Sequence, residues 1–169
     1  MTNGRSAIDE RSVFFDDLRA GEVRELGSHV FTRDEIMEFA NQWDPHLWHV
    51  DEEAAEASFF GGLVASGVHT FAAFTNLLTT NFLLDVAVTA GKDINIQMRA
   101  PVHVDEEIHA RVTIAGLEDV PHRDTQGLVH LAGECNRDDG TVVLAVRIQV
   151  LVARRTVGVV TAEACWAAT

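Results

Sequence analysis

The chain has almost no lysine and little positive charge of any kind. Lys92 is its single lysine, and 26 acidic residues against 13 basic ones leave a formal net charge of -13 over 169 residues. Nucleic acid and anionic membrane surfaces both need a broad basic face on their protein partner. The composition therefore excludes both partners and indicates a small ligand.

Long apolar runs and paired cysteines are also missing. Residues 77–84 and 142–153 are the longest apolar stretches, and polar side chains interrupt both, so neither can span a bilayer. The first residues, Met-Thr-Asn-Gly-Arg-Ser, lack the apolar segment of a signal peptide, which predicts a cytoplasmic protein. Cys135 and Cys165 lie too far apart in sequence to indicate a disulfide framework or a metal knuckle.

The length and the even composition predict one domain. Residues 1–13, which are mostly polar at their start, form a predicted flexible N-terminal arm. The domain itself is predicted over residues 14–155. Residues 156–169 form a predicted C-terminal tail without a clear pattern, in which Trp166 favours docking.

A capping box begins the first predicted helix. Thr32 is the predicted N-cap, and the Glu35 side chain is expected to reach back to the backbone of Thr32. Apolar residues then recur at spacings of three and four as far as Trp43, where Asp44-Pro45 ends the helix. The helix thereby delivers Asp44 to its own end.

A longer helix is predicted over residues 67–84, with Ser66 as its N-cap. Its residues are small, apolar or hydroxylated and carry little charge, which is typical of a buried helix. The side expected to face the core carries Val68, Phe71, Ala72, Thr75, Leu78 and Phe82.

Segments rich in β-formers follow this helix. They are residues 94–100, 107–117, 127–137 and 141–153, with Asp138-Asp139-Gly140 as a hairpin turn between the last two. A short, weaker strand is predicted earlier, within residues 22–31. One buried helix followed by long strands indicates an α+β fold, in which a mainly antiparallel, curved sheet wraps around the central helix.

The segment between Asp44 and Gly67 carries most of the chemistry. Pro45 stops the helix, so that Asp44 and His49, five residues apart, can turn toward one pocket. A carboxylate and an imidazole together can move protons. At Ser66 and Gly67 the first N–H groups of the next helix are free to face a developing negative charge.

Other interpretations of these residues stay open. Asp44 and His49 can be simple turn residues at a helix end. His46, His49 and Asp51 can instead form a metal cluster, although no further His or Cys pair stands nearby. Ser66 lacks the Gly-x-Ser-x-Gly setting of a hydrolase nucleophile, which favours its role as a helix cap.

No cofactor-binding motif accompanies this segment. Gly61-Gly62 lacks the lysine or third glycine of a phosphate-binding loop. The scattered histidines receive no role; they are His29, His69, His103, His109, His122 and His130. We therefore expect neither a cofactor nor a metal.

Two stretches resemble the R-specific enoyl-CoA hydratases and MaoC-like dehydratases, which are hotdog folds. They read Asp44-Pro45-His46-Leu47-Trp48-His49-Val50-Asp51 and Phe60-Gly61-Gly62-Leu63-Val64-Ala65-Ser66-Gly67. The family motif is Asp-x-Asn-Pro-x-His-x-Asp, with a later His-Gly pair that opens the central helix. The gap from Asp44 to His49 and the distance from His49 to Gly67 match it.

The chain departs from the family motif at three positions. His46 and Leu47 stand where the family usually has Asn and Pro, and Ser66 replaces the His before the glycine. A MaoC-like subgroup with the form Asp-Pro-x-x-x-His resembles the chain more closely. The departures therefore bear on the substrate range more than on the active pair.

The resemblance implies a catalytic dyad of Asp44 and His49, with Gly67 as the oxyanion N–H and with Ser66 and Thr75 in support. It implies addition of water to a 2-enoyl thioester, or its removal from a 3-hydroxyacyl thioester, without a metal or redox cofactor. The thioester is one of CoA, or of an acyl carrier protein. The alternatives are a hotdog thioesterase and a non-catalytic acyl-CoA-binding subunit.

Two further expectations concern partners. A single sheet around one helix leaves an edge and a face exposed, and the apolar strand at 142–152 needs cover, which predicts a homodimer or a higher homo-oligomer. CoA carries phosphates, so we expect several arginines to gather at the mouth of the site. The candidates are Arg99, Arg111, Arg123, Arg137, Arg147, Arg154 and Arg155.

Overall fold

The computed structural model describes Ile8 and residues 11–155. The predicted arm at residues 1–13 lies largely outside the described residues. The predicted tail at 156–169, with Trp166, lies outside them altogether.

The chain is already held in place at Val13. Its N–H donates to the Asp85 carbonyl at 2.7 Å, and its carbonyl accepts from the Ala87 N–H at 2.8 Å. The ordered domain therefore starts slightly before residue 14.

Residues 11–155 contain four α-helices and five strands. The helices are α1 (Arg33–Trp43), α2 (Leu47–Val50), α3 (Glu52–Glu56) and α4 (Gly67–Asn81). The strands are β1 (Val23–Val30), β2 (Val88–Met98), β3 (Glu107–Asp119), β4 (Gln126–Asn136) and β5 (Val142–Ala153). None of the helices in this part of the chain has the length and apolar character needed to cross a bilayer.

The five strands form one sheet in the order β1-β3-β4-β5-β2, and every neighbouring pair is antiparallel. The sheet curves around the long helix α4, so the predicted α+β architecture is confirmed. The apolar strand β5 lies between β4 and β2 and is paired on both sides. The edges of the described sheet are β1 and β2, so the cover expected for the strand at 142–152 comes along both of its edges from the chain itself.

Helix α4 packs on the sheet through Ala73, Phe74 and Leu78, all of which are buried. Gly133 of β4 makes room for this contact, because a Cβ at that position would overlap the Phe74 ring. The predicted inner side of the helix was wrong at Val68 and Thr75, which are exposed. Apolar and hydroxylated residues occur on all sides of α4 itself, so the periodicity of its sequence does not define which side faces the sheet.

Helix α1 begins as predicted but uses its glutamate differently. The Thr32 hydroxyl accepts the Glu35 N–H at 3.4 Å, which confirms Thr32 as the N-cap. The Glu35 carboxylate does not complete the capping box and points instead toward two histidines, His29 and His69. The apolar stripe is also shorter than predicted, because Trp43 is exposed.

Strand β2 is longer than its pattern predicted. It starts at Val88 rather than residue 94 and pairs with β5 through the polar stretch Gly91-Lys92-Asp93, where the register shifts. The predicted hairpin turn between β4 and β5 is confirmed: Gly140 has φ +83°, and its N–H donates to the Arg137 carbonyl at 2.9 Å.

Candidate active site

Asp44 and His49 lie on either side of a break in the helical path. Asp44 is the C-cap of α1, and Pro45 follows it, so the helix cannot continue. The short helix α2 then starts after His46 and carries His49 in its single turn. The break that the sequence predicted thus brings the two side chains to one place.

The hydrogen bonds of His49 define which ring nitrogen carries the proton. Nδ1 lies 2.7 Å from the Val64 carbonyl oxygen, which can only accept, so Nδ1 carries a hydrogen. The Trp48 indole N–H donates to Nε2 at 3.1 Å, so Nε2 presents a lone pair. These contacts place a hydrogen on Nδ1 and leave Nε2 as an acceptor, with Asp44 Oδ2 3.8 Å away.

The carboxylate of Asp44 completes the pair. Its Oδ2 lies 3.8 Å from His49 Nε2 and accepts the Ser66 hydroxyl at 2.6 Å. The buried Ser66 is the N-cap of α4, and its Oγ also accepts the Val68 N–H at 3.2 Å. One hydroxyl thus connects the acidic member of the pair to the start of the central helix.

Gly67 is the first residue of α4, and the first N–H groups of a helix have no partner within it. The positive end of the helix dipole adds to their field. A Cβ at Gly67 would lie 2.8 Å from Met98 Cγ and 2.9 Å from Met98 Cε. Glycine therefore leaves the head of the helix open beside Met98.

A cavity of about 320 Å³ lies at this point. Its wall is mostly apolar, and His49, Gly67 and Arg99 contribute to it. A second hollow, of about 280 Å³, lies on the outer face of the sheet around the ion pair of Arg111 and Glu134. That hollow has no proton-transfer pair among its described lining residues.

The structure does not bring Thr75 to this site. Its hydroxyl donates to the Phe71 carbonyl at 2.9 Å within its own helix, and the residue is exposed. Thr70 lies in the cavity wall instead and donates to the Ser66 carbonyl at 3.2 Å. Thr70 lies four residues after Ser66 and therefore on the same side of the helix, and this spacing could have predicted its place at the site.

The alternative metal cluster at the motif has no support in this geometry. The His46 ring stacks on Trp48, with 3.3 Å between centroids. The Asp51 carboxylate accepts the Ala54 N–H at 3.0 Å and caps α3. His46, His49 and Asp51 therefore serve three different contacts.

The expected gathering of arginines is wrong for the single chain. Of the seven candidates, all within the described residues, Arg99 alone lines the cavity. Arg137 lies close by, since it donates to the Pro101 carbonyl in the cavity wall and pairs with Glu106. Others pair elsewhere: Arg111 with Glu134, Arg154 with Asp16 and Asp119, and Arg155 with Asp17.

This arrangement suits proton transfer beside a developing negative charge. Asp44 Oδ2 and His49 Nε2 are two acceptors 3.8 Å apart. A water molecule that bonds to both has its oxygen lone pairs left for attack on a bound carbon. Gly67, at the head of α4, lies in the wall of this mostly apolar cavity, an environment in which an N–H donor is most effective.

Comparison with known proteins identifies relatives of this chain. The chain is 32% identical over 115 residues to the uncharacterized protein YdeM of Bacillus subtilis, covering 68% of this chain and 80% of that protein. It is 29% identical over 120 residues to 3-hydroxyacyl-thioester dehydratase Z of Mycobacterium tuberculosis, covering 67% of this chain and 79% of that protein.

A solved structure of a related protein has the same fold. The crystal structure of the MaoC-like dehydratase from Rhodospirillum rubrum superposes with a TM-score of 0.80 at 31% identity, covering 86% of this chain and all of that one. Residues 19–132 match the family described as the MaoC like domain. The chain therefore belongs to the MaoC-like dehydratase family and has its hotdog fold.

Proposed function

We propose that this chain catalyses the reversible addition of water to a 2-enoyl thioester of CoA, which gives the 3-hydroxyacyl thioester. The observation that carries the proposal is the pair of Asp44 Oδ2 and His49 Nε2, 3.8 Å apart at the head of α4. The likeness to a protein named 3-hydroxyacyl-thioester dehydratase supports it. Dehydration is the same reaction in reverse.

The proposed mechanism uses one water molecule held between the two acceptors. With a hydrogen bond donated to each of Asp44 and His49, the water oxygen is free to attack C3 of the enoyl group. One of the two groups takes the water proton as the C3–O bond forms, and that group, now protonated, delivers a proton to C2. Hydroxyl adds to C3 and hydrogen to C2, so the protein neither gains nor loses a proton.

Gly67 has the second role in this mechanism. As C3 is attacked, negative charge moves to the thioester oxygen. The Gly67 N–H and the dipole of α4 stabilise that charge from a fixed position. Removal of one such donor typically costs about 10²–10³ in kcat.

The Trp48 indole has to move before this water can bind. In the resting protein its indole N–H donates to the same His49 Nε2 that the water needs. Trp48 also lines the cavity, so an acyl chain that enters contacts it directly. We infer that substrate binding moves the indole and exposes the nitrogen.

The loss of enoyl absorbance with crotonyl-CoA and with longer or branched enoyl-CoAs tests the proposal. Asp44→Asn and His49→Ala should each lower kcat by about 10²-fold or more, with a smaller change in KM. The double variant should be hardly worse than the poorer single variant, because both groups act on one water. Near-normal turnover in both single variants would overturn the assignment.

Two controls and two other outcomes complete this assay. His109→Ala removes an exposed histidine whose ring contacts Asp138, and it should leave turnover unchanged. His46→Ala should retain most of the turnover, whereas a metal cluster at the motif would require His46. Release of free thiol from saturated acyl-CoA would identify a thioesterase. Acyl-CoA binding without either reaction would identify a non-catalytic subunit.

A further inference from the structure

Three potential metal ligands from three different elements meet away from the active site. They are His29 near the end of β1, Glu35 in the first turn of α1 and His69 in the first turn of α4. The Glu35 Oε1 lies 2.9 Å from His29 Nε2 and 3.2 Å from His69 Nε2. Of the described residues that line the active-site cavity, none belongs to this cluster.

The spacing of the three atoms suits one bound ion. Their mutual distances are all within 4.8 Å. Ligand atoms that bind one tetrahedral zinc ion at its usual bond lengths lie about 3.3–3.5 Å apart. Small shifts of the Glu35 and His29 side chains would therefore accommodate an ion between them.

Hydrogen bonding to Glu35 accounts for the position of His69 but not for that of His29. His69 Nε2 makes a hydrogen bond with Glu35 Oε1. His29 Nε2 lies closer to that oxygen, at 2.9 Å, yet the contact lacks hydrogen-bond geometry and this buried nitrogen has no other hydrogen-bond partner in the described residues. A buried polar atom without a partner costs free energy, which coordination to a metal would offset.

Aromatic rings fix the orientation of both imidazoles. The Phe39 ring stacks on His69 at 4.4 Å between centroids, and Phe31 contacts the edges of both His69 and His29 at 4.9 Å and 4.6 Å. These ring contacts hold the two imidazoles in place beside the Glu35 carboxylate. The Nε2–H of His69 donates to Glu35 in the metal-free chain, and a metal ion at Nε2 would take the place of that hydrogen. The Nδ1 of His69 has no hydrogen-bond partner in the described residues and is free to carry the ring hydrogen instead.

An ion can reach the cluster from solvent. The Glu35 side chain is 38% exposed and the His29 side chain 29% exposed, whereas His69 is buried behind them. Water can therefore fill the remaining coordination position. Two imidazoles and one carboxylate are the ligands that zinc and the neighbouring transition metals accept, whereas calcium and magnesium prefer oxygen alone.

We propose that His29, Glu35 and His69 bind one divalent transition-metal ion of the zinc class. The ion ties β1, α1 and the first turn of α4 together. Because that turn begins at Gly67, directly after the Ser66 cap, the ion stabilises the segment that carries the proposed active site without contacting the substrate. The proposal stands independently of the reaction that the chain catalyses.

Binding of Co²⁺ and Zn²⁺ to the EDTA-treated full chain tests this proposal. We expect one tightly bound Co²⁺ per chain with the intense visible absorption of a four-coordinate site, its displacement by Zn²⁺, and a higher Tm with either ion. Glu35→Gln and His29→Gln should each weaken binding by about 10²-fold. His109→Gln is the matched control, since it removes a histidine that contacts a single carboxylate, Asp138, at 2.8 Å.

Three results would overturn the proposal. The first is no Co²⁺ spectrum and no change in Tm for the parent chain. The second is equal affinity in Glu35→Gln, His29→Gln and the parent, which would mean that the ion binds elsewhere. The third is a loss of Tm in both variants that is the same in EDTA and in Zn²⁺, which would identify a hydrogen-bonded cluster only.

Discussion

The Ser66 hydroxyl donates to Asp44 Oδ2 at 2.6 Å and, with the same oxygen, accepts the Val68 N–H at the start of α4. We expect Ser66→Ala to lose both contacts. The lost cap should lower stability by about 1 kcal/mol. The freed Asp44 carboxylate should lower kcat by about 10-fold. Thermal unfolding and the enoyl-CoA assay measure the two effects separately.

Thr32→Ala is the matched control for this prediction. Thr32 caps α1 through the Glu35 N–H and is exposed, so its loss should lower the Tm. It makes no described contact with Asp44, so kcat should not change. A Ser66→Ala variant that lost only stability, as Thr32→Ala does, would contradict a role for Ser66 in positioning Asp44.

Gly67→Ala should lower substrate turnover more than it lowers the stability of the fold. The new Cβ would lie 2.8 Å from Met98 Cγ, so the half-exposed Met98 side chain must move, and Met98 lines the cavity. Alanine is a good helix former, so the Tm should change little. We expect kcat/KM to fall by about 10-fold or more. The double variant Gly67→Ala/Met98→Ala relieves the contact, and kcat/KM that failed to recover there would show that displacement of Met98 does not explain the loss.

Arg99 is expected to contribute to binding of the CoA phosphates. It lies in the cavity wall, and Gln97 Oε1 is its described hydrogen-bond partner. Arg99→Glu should raise KM for enoyl-CoA strongly, and the effect should shrink as salt is added. Arg111→Glu is the control, since Arg111 pairs with Glu134 on the outer face of the sheet. Equal KM values in the two variants would exclude Arg99 as a phosphate contact.

The chain is expected to form a homodimer through the side of the sheet that ends in β2. Ile94 and Met98 belong to this edge strand and are 53% and 52% exposed. Val68, at the head of α4, is 53% exposed. Such an apolar surface beside an open edge favours a second copy. Sedimentation over a wide concentration range should show a dimer, and a monomer of 18.5 kDa throughout would contradict it.

A matched pair of variants locates this interface. Ile94→Asp places a charge on edge strand β2 and should dissociate the dimer. Val23→Asp places the same charge on the opposite edge strand β1, at a residue that is 52% exposed, and should not. Dissociation by Val23→Asp alone would place the interface at β1.

The thiol of Cys135 should not react with thiol reagents in the folded chain. Burial raises its pKa from 9.0 to about 12. Because the folded pKa lies above the unfolded one, this thiol contributes stability that is complete below pH 9 and is lost as the pH rises toward 12. With no tyrosine and one lysine in the sequence, few other side chains titrate in this range.

The Cys165→Ala background isolates that thiol for measurement. A thiol reagent at pH 8 should label Cys135 only after unfolding, and the Tm should fall as the pH is raised above 9. Adding Cys135→Ala should flatten this fall. Rapid labelling of the native Cys165→Ala chain would show that Cys135 is accessible.

Local chemistry in the sequence predicted that Asp44 and His49 lie close together, because one residue, Pro45, decides the geometry there. A helix that must stop at Asp44 and a single turn that carries His49 leave few other arrangements. The cap at Ser66 is likewise local. These features depend on neighbours in the chain, which a sequence displays directly.

Contacts between distant elements were not predictable in this way. His69 meets Glu35 across 34 positions, and nothing near either residue indicates the other. Thr75 was misplaced because hydroxylated and apolar residues surround α4, so its inner side is decided by the sheet. The position of β5 inside the sheet also follows from topology, which strand patterns do not encode.

The contact between Phe74 and Gly133 sets how closely the central helix approaches the sheet. Any side chain at Gly133 would push the aromatic ring, and with it α4, away from β4. The Gly67 N–H and the Ser66 cap belong to that same rigid helix. Under the proposed function, redesign for bulkier acyl chains therefore has to enlarge the cavity at its mouth, since repacking the strand beneath Phe74 would displace the end of the helix that carries Ser66 and Gly67.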